Sequence, residues 1–157
     1  MGAFLSGAMF LNNIATLKVE VTDVDLEKLR QRGITTVLKC KNVRVAFLTG
    51  PLFFAATGHF NEAFADLQDT HTLILSMRGV PLIDPSGLEV VHRLFEKLHA
   101  KGITLMFSGV HPNVKTMMQR SGLVEQVGEN NLFWASDEAI VEADRRGCVL
   151  CENKTHS

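Results

Sequence analysis

At 157 residues the chain is long enough for one ordinary domain with extensions, because a unit of roughly 100–150 residues buries an adequate core. Hydrophobic residues make up 46% and charged residues 21%, with a net charge of -1, which argues against nucleic acid or an acidic membrane surface as a general electrostatic partner. Three cysteines, Cys40, Cys148 and Cys151, with no secretory leader ahead of them, speak against a disulfide framework and for a reducing, cytoplasmic setting.

The opening stretch MGAFLSGAMFLNNIATL carries no charge, yet it falls short of the ~20 apolar residues of a spanning helix and contains Asn12 and Asn13. It also lacks the positive n-region of a signal peptide. Two readings stand: Ala3 to Leu17 packs on the core or on a partner, including a second copy of the chain, or it is the end of a membrane helix that begins outside this chain. Lys18 to Asn42 is charged and irregular, a connector holding one short helix in DVDLEKLRQRG closed by Gly33. The main domain is expected over residues 43–147, after an N-terminal segment and linker over 1–42, with a C-terminal tail over 148–157.

VRVAFLTGPLFFAA clusters β-branched and aromatic residues around Gly50-Pro51, a hairpin-like break between two short strands. TGHFNEAFADL sets Phe60, Phe64 and Leu67 at helical spacing, with Thr57 as cap. HTLILSM is a continuous apolar run, the pattern of a strand covered on both faces. After a corner at Asp84 to Gly87, Leu88, Val91, Leu94, Phe95 and Leu98 form one stripe of an amphipathic helix that ends at Lys101-Gly102. ITLMFSG repeats the buried-strand pattern, and HPNVKTMMQRSG predicts a helix starting at Pro112, with Met117 and Met118 filling core. SDEAIVEADRRG is the last predicted helix, capped by Ser136 or Asp137, with Arg145 and Arg146 in its final turn. This order predicts an α/β sandwich with helices crossing between mostly parallel strands.

The chemistry concentrates at the corner. Asp84 is the expected cap, Pro85 the first helical position, and Ser86 and Gly87 the first turn, which leaves the Ser86 hydroxyl at the surface. Such a corner either starts a helix and no more, or presents a surface where helix amides favour a phosphate on Ser86 and Asp84 opposes it. The same helix terminus would accept a small anion or nucleotide, although no phosphate-binding loop accompanies it.

His59, His71, His92, His99, His111 and His156 fall in no H-E-x-x-H motif and beside no second ligand at metal spacing, and His92 with Glu96 reads as a solvated helical pair. Cys148 and Cys151 form a C-x-x-C without a second cysteine pair and read as plain tail thiols. No G-x-G-x-x-G, P-loop or G-x-S-x-G occurs. The expectation is therefore a non-enzyme with no catalytic residue, metal or cofactor.

VPLIDPSGLEVVHRLFEKLHAKGITLMFSGVHPNVKTMMQRSGL resembles the central segment of STAS domains, the sulfate transporter and anti-sigma factor antagonist fold, in which an Asp-x-Ser/Thr-Gly turn opens a helix. GPLFFAATGHF and SGVHPNV make the likeness closer to STAS domains of SulP-type anion transporters, over about Val43 to Arg146. The resemblance implies a mixed, mostly parallel sheet with helices mainly on one side, and a cytoplasmic regulatory module that binds the transporter's transmembrane domain or a cytoplasmic regulatory protein. The expected working surface is Asp84, Pro85, Ser86, Gly87 and Glu89 with Leu52, Phe53 and Phe54 of the loop from Gly50. The alternative it implies is a free-standing anti-sigma factor antagonist phosphorylated at Ser86. Pro85 departs from the antagonists, which commonly carry a small polar residue there.

Overall fold

The computed structural model describes residues 17–36 and 38–155. Residues 1–16 and His156 lie outside them. A five-stranded sheet in the order β1-β2-β3-β4-β5 organises the chain, with β1 antiparallel to β2 and every other pair parallel. Its strands are β1 Lys18–Asp23, β2 Val43–Thr49, β3 Thr72–Gly79, β4 Thr104–Ser108 and β5 Leu132–Phe133. The central strand β3 is paired on both sides, and Thr72 through Met77 are all buried, which accounts for its unbroken apolar run.

The sequence expectation of an irregular connector over Lys18 to Asn42 is corrected at its start. Lys18–Asp23 is an edge strand in register with β2 from Lys18 opposite Thr49 to Asp23 opposite Arg44. Val19 and Val21 pack on the core while Lys18 and Glu20 are exposed, the alternation of a half-covered antiparallel edge. The helix in the same segment, α1 Leu26–Gln31, is where the pattern placed it. The Asp25 side chain caps it, and Gly33 follows at φ 79°.

The expected hairpin around Gly50-Pro51 does not form. Beyond Gly50 the chain leaves the sheet, Leu52 makes a single parallel bridge to Ile83, and Phe54–Ala56 is a 3-10 turn that runs into α2 Thr57–Ala63. Thr57 is not the cap either: its hydroxyl donates back to the Phe54 carbonyl. The remaining helices are α3 Pro85–Ala100, α4 Pro112–Arg120, α5 Leu123–Val127, α6 Ser136–Arg146 and α7 Val149–Thr155. The last of these lies within the expected tail over 148–157, and its Leu150 packs against the core.

The larger core lies on one face of the sheet. Phe60 and Phe64, the α3 residues Leu88, Val91, Leu94 and Leu98, and Val114, Met118 and Leu123 pack there on Ala46, Leu48, Leu73, Leu75, Met77, Leu105 and Phe107. The smaller core on the other face joins Val43, Val45, Ile74 and Met106 to Leu29 of α1 and to Ala139, Ile140 and Ala143 of α6. Most helices therefore do sit on one side. Two side-chain expectations are corrected. His92 pairs with Gln126 of α5 at 2.9 Å rather than with Glu96, and α6 has no side-chain cap, because Ser136 bonds Ser108 at 2.8 Å and Asp137 pairs with Arg32 at 2.9 Å. No helix among the described residues is long and apolar enough to cross a membrane.

Candidate functional site

The loops that follow β2 and β3 meet at one corner, at the carboxyl ends of parallel strands. The Leu52 amide donates to the Leu82 carbonyl at 3.0 Å, and the Asp84 amide donates to the Leu52 carbonyl at 3.2 Å. Asp84 then ties both segments together. Its Oδ1 accepts the Gly87 amide at 2.7 Å, capping α3, and its Oδ2 accepts the amide of Phe54, 30 residues away, at 3.1 Å. The two stretches expected to form one surface are thus in direct contact.

The other flank is clamped by the turn before α4. His111 Nε2 donates to the Arg78 carbonyl at 2.7 Å, and Asn113 Nδ2 donates to the Pro81 carbonyl at 2.7 Å. Neither residue had a role in the sequence reading. The H-P-N start of a helix was legible, but which neighbouring loop it touches depends on β4 lying beside β3.

Buried Leu52 and Gly87 form the floor of the corner, Asp84 and Ser86 are half-buried, and Pro85 and Glu89 are exposed. Three large apolar side chains project around it: Phe54 at 75% exposure, Leu82 at 50% and Phe53 at 38%. Leu82 was missed because it closes an apolar run in sequence. Apolar side chains grouped on a hydrogen-bonded loop are the usual mark of a contact surface. The Gly87 and Phe54 amides of the corner are already taken by the Asp84 carboxylate, which opposes an added anion. Asp84→Ala is expected to cost about 1–2 kcal/mol through loss of the cap and of the Phe54 tie, read as a lower urea midpoint with an unchanged m-value.

On the opposite face, α1, α6 and the strand ends enclose a cleft of about 710 Å³. Ser76, Ser108 and Phe47 line it, with Arg78 and Trp134 among its walls, and Trp134 is 81% exposed. Its lining is polar and charged as well as apolar, with Glu20, Asp25 and Lys28 beside Leu48 and Ile140. Nothing in the local sequence patterns pointed to it.

A third grouping corrects two readings, that of Cys148 and Cys151 as plain tail thiols and that of His71 as a histidine beside no second ligand. The Sγ atoms of Cys40, Cys148 and Cys151 lie 3.4, 3.3 and 3.2 Å from His71 Nδ1, and Cys151 Sγ is 3.3 Å from Cys40 Sγ. Burial pushes the Cys40 thiol up to about 12, with the Cys151 and Cys148 thiols adding to the rise and the Asn42 backbone opposing it.

Comparison with known proteins follows the same lines. A family model described as STAS domain matches residues 35–139. The chain is similar to a probable sulfate transporter 4.2 of Arabidopsis thaliana, 26% identical over 107 residues, which cover 59% of the chain and 16% of that protein. The matches span 11–19% of the length of the curated relatives. The solved STAS domain of a Vibrio cholerae SulP transporter is 28% identical with a TM-score of 0.59, over 82% of this chain and 95% of that one. The phosphorylated Bacillus cell fate determinant SpoIIAA, 17% identical with a TM-score of 0.56 over 80% of this chain and 98% of that one, shares the fold.

Proposed function

The chain belongs to the STAS domain family, and on that premise we propose that it is a non-catalytic docking module of a SulP-type anion transporter, acting on the cytoplasmic side through the corner at Asp84 to Glu89 and the Leu52–Phe54 loop. The observation that carries this reading is the trio Phe53, Phe54 and Leu82, exposed on two loops that are tied to each other through Asp84 and to the start of α4 through His111 and Asn113. A rigid apolar edge loses little conformational entropy on binding, so its contact area converts into affinity more fully than that of a mobile loop. Likeness to sulfate transporters supports one of two partners in this proposal: the membrane part of such a protein, or a cytoplasmic protein that regulates it.

Ser86 lies at the edge of this surface in the first turn of α3, where a longer anionic side chain alters the docking face while the fold-holding bonds of Asp84 and Leu52 stay in place. Ser86→Glu is therefore expected to leave the melting temperature within about 2 °C, in line with a surface change. It is expected to weaken binding to the membrane domain of a SulP transporter in nanodiscs at least about tenfold, ~1.4 kcal/mol. Phe54→Ala should do the same through lost apolar contact. Unchanged binding by both variants sinks the assignment of the surface. The alternative, an anti-sigma factor antagonist, requires instead that an anti-sigma kinase add one phosphate to Ser86, detected as a mass increase confined to that residue.

A further inference from the structure

The four side chains that converge at the end of the sheet come from three separated parts of the chain. Cys40 stands in the loop before β2, His71 immediately precedes β3, and Cys148 and Cys151 flank the start of α7. Two of them are held by the sheet itself. The His71 amide donates to the Asn42 carbonyl at 2.8 Å, the His71 carbonyl accepts the Thr104 amide at 3.1 Å, and Asn42 Nδ2 donates to the Asp69 carbonyl at 2.7 Å. Cys40, two residues before Asn42, and His71 are therefore set side by side, both buried, by backbone that belongs to the folded domain. The C-x-x-C brings the other two sulfurs from the opposite side, on a segment half open to solvent.

Hydrogen bonding does not explain this convergence. One ring nitrogen has a single lone pair or a single proton, yet three sulfurs stand within 3.4 Å of His71 Nδ1. A cation at the centre does explain it. All four ligand atoms lie within 4.8 Å of one another. With Zn–S near 2.3 Å and Zn–N near 2.0–2.1 Å, a tetrahedral ion needs ligand–ligand edges of about 3.5–3.8 Å. The four separations given above are shorter by only a few tenths of an ångström, and no pair is wider than 4.8 Å, so shifts of up to about 1 Å by the half-exposed pair complete the tetrahedron. The donor set is that of closed structural zinc sites, in which the C-x-x-C spacing aims two thiolates at one point. The Cys40–Cys151 separation of 3.3 Å is well beyond the ~2.05 Å of a disulfide.

We propose that Cys40, His71, Cys148 and Cys151 bind one zinc ion, which pins α7 to the strand ends. Binding exchanges the thiol protons for the metal, so uptake releases protons and leaves three thiolates and a neutral imidazole around Zn²⁺. The part of the chain that hydrophobic contact holds through Leu150 gains a second, chemically specific anchor.

The test uses the full chain, reduced under anaerobic conditions, and three readouts. Zinc titrated against a chromophoric chelator should enter at one equivalent per chain. Cobalt(II) in its place should show thiolate charge-transfer absorption and the intense visible bands of a tetrahedral ion. X-ray absorption at the zinc edge should give three sulfurs and one nitrogen in the first shell. In Cys148→Ser/Cys151→Ser the affinity should fall by more than about 100-fold, beyond the 10–100-fold that changes to supporting residues cause, while far-UV circular dichroism retains the sheet signal. Wild-type chain that takes up no tight equivalent overturns the proposal. So does undiminished uptake by the double variant, a first shell without sulfur, or protein from zinc-replete cells that carries a Cys148–Cys151 disulfide. The absorption edge of the wild type decides the matter even if the double variant does not fold.

Discussion

Gly87→Ala is expected to destabilise the fold by about 2–3 kcal/mol, the range of an overpacked site in a close-packed region. A Cβ at Gly87 would stand 2.1 Å from the Leu52 carbonyl oxygen and 2.9 Å from Ile83 Cγ1. The first of these is backbone, and that carbonyl is already engaged by the Asp84 amide. Relief thus requires the first turn of α3 to separate from the Leu52 segment, which breaks the bridge that joins the two halves of the corner. Helix propensity favours alanine by roughly 1 kcal/mol and offsets part of this, so the sign of the result tests the steric argument. At about 2–4 °C per kcal/mol for a chain of this size, the melting temperature should fall by roughly 4–12 °C. Gly58→Ala is the natural comparison, since a Cβ there meets nothing within 4 Å, and it should be neutral or mildly stabilising. Equal stabilisation by both substitutions would show that the close approach at Gly87 is not maintained in solution.

A larger loss is expected from Phe60→Ala, about 3–5 kcal/mol, the usual cost of removing a buried phenyl ring. Phe60 is 1% exposed and meets Phe64 edge to face with ring centroids 4.8 Å apart. Both rings fill the larger core, Phe60 from α2, a helix of seven residues, and Phe64 from the position that closes it. That helix continues directly from the 3-10 turn beginning at Phe54, so its loosening frees the segment carrying Phe53 and Phe54. The expected signature is a lower urea midpoint, with backbone amides from Leu52 to Phe64 exchanging faster than those of β3. Partner binding should weaken as well, because the docking edge then has to be ordered on contact. A destabilisation below about 1 kcal/mol would mean that the core closes over the gap.

Several elements were legible because their patterns are local. The continuous apolar run of β3, the stripe of α3 and the Asp84-Pro85 cap each follow from residues within a few positions of one another. Where the reading failed, a distant partner decided the outcome. Lys18 to Asp23 looked irregular until β2 supplied the neighbour that makes its alternation a strand. The apolar residues after Gly50 suggested a second hairpin strand, but Leu52 bridges Ile83 instead, and Phe53 and Phe54 are left at the surface. Ser136 and Asp137 fit the composition of a cap, yet Ser108 and Arg32 engage their side chains.

The sequence by itself determined the fold class, which rests on hydrophobic period, and the family, which rests on the resemblance of several motifs around a strand-to-helix corner to STAS domains, and each of these is carried by contiguous residues. Only the tertiary structure decided which side chains share a site. Cys40 and His71 are 31 residues apart, and Cys151 lies 80 residues beyond His71. Their meeting depends on strand order and on where the last helix returns to the sheet, and periodicity reports which face of an element is buried but not what it is buried against.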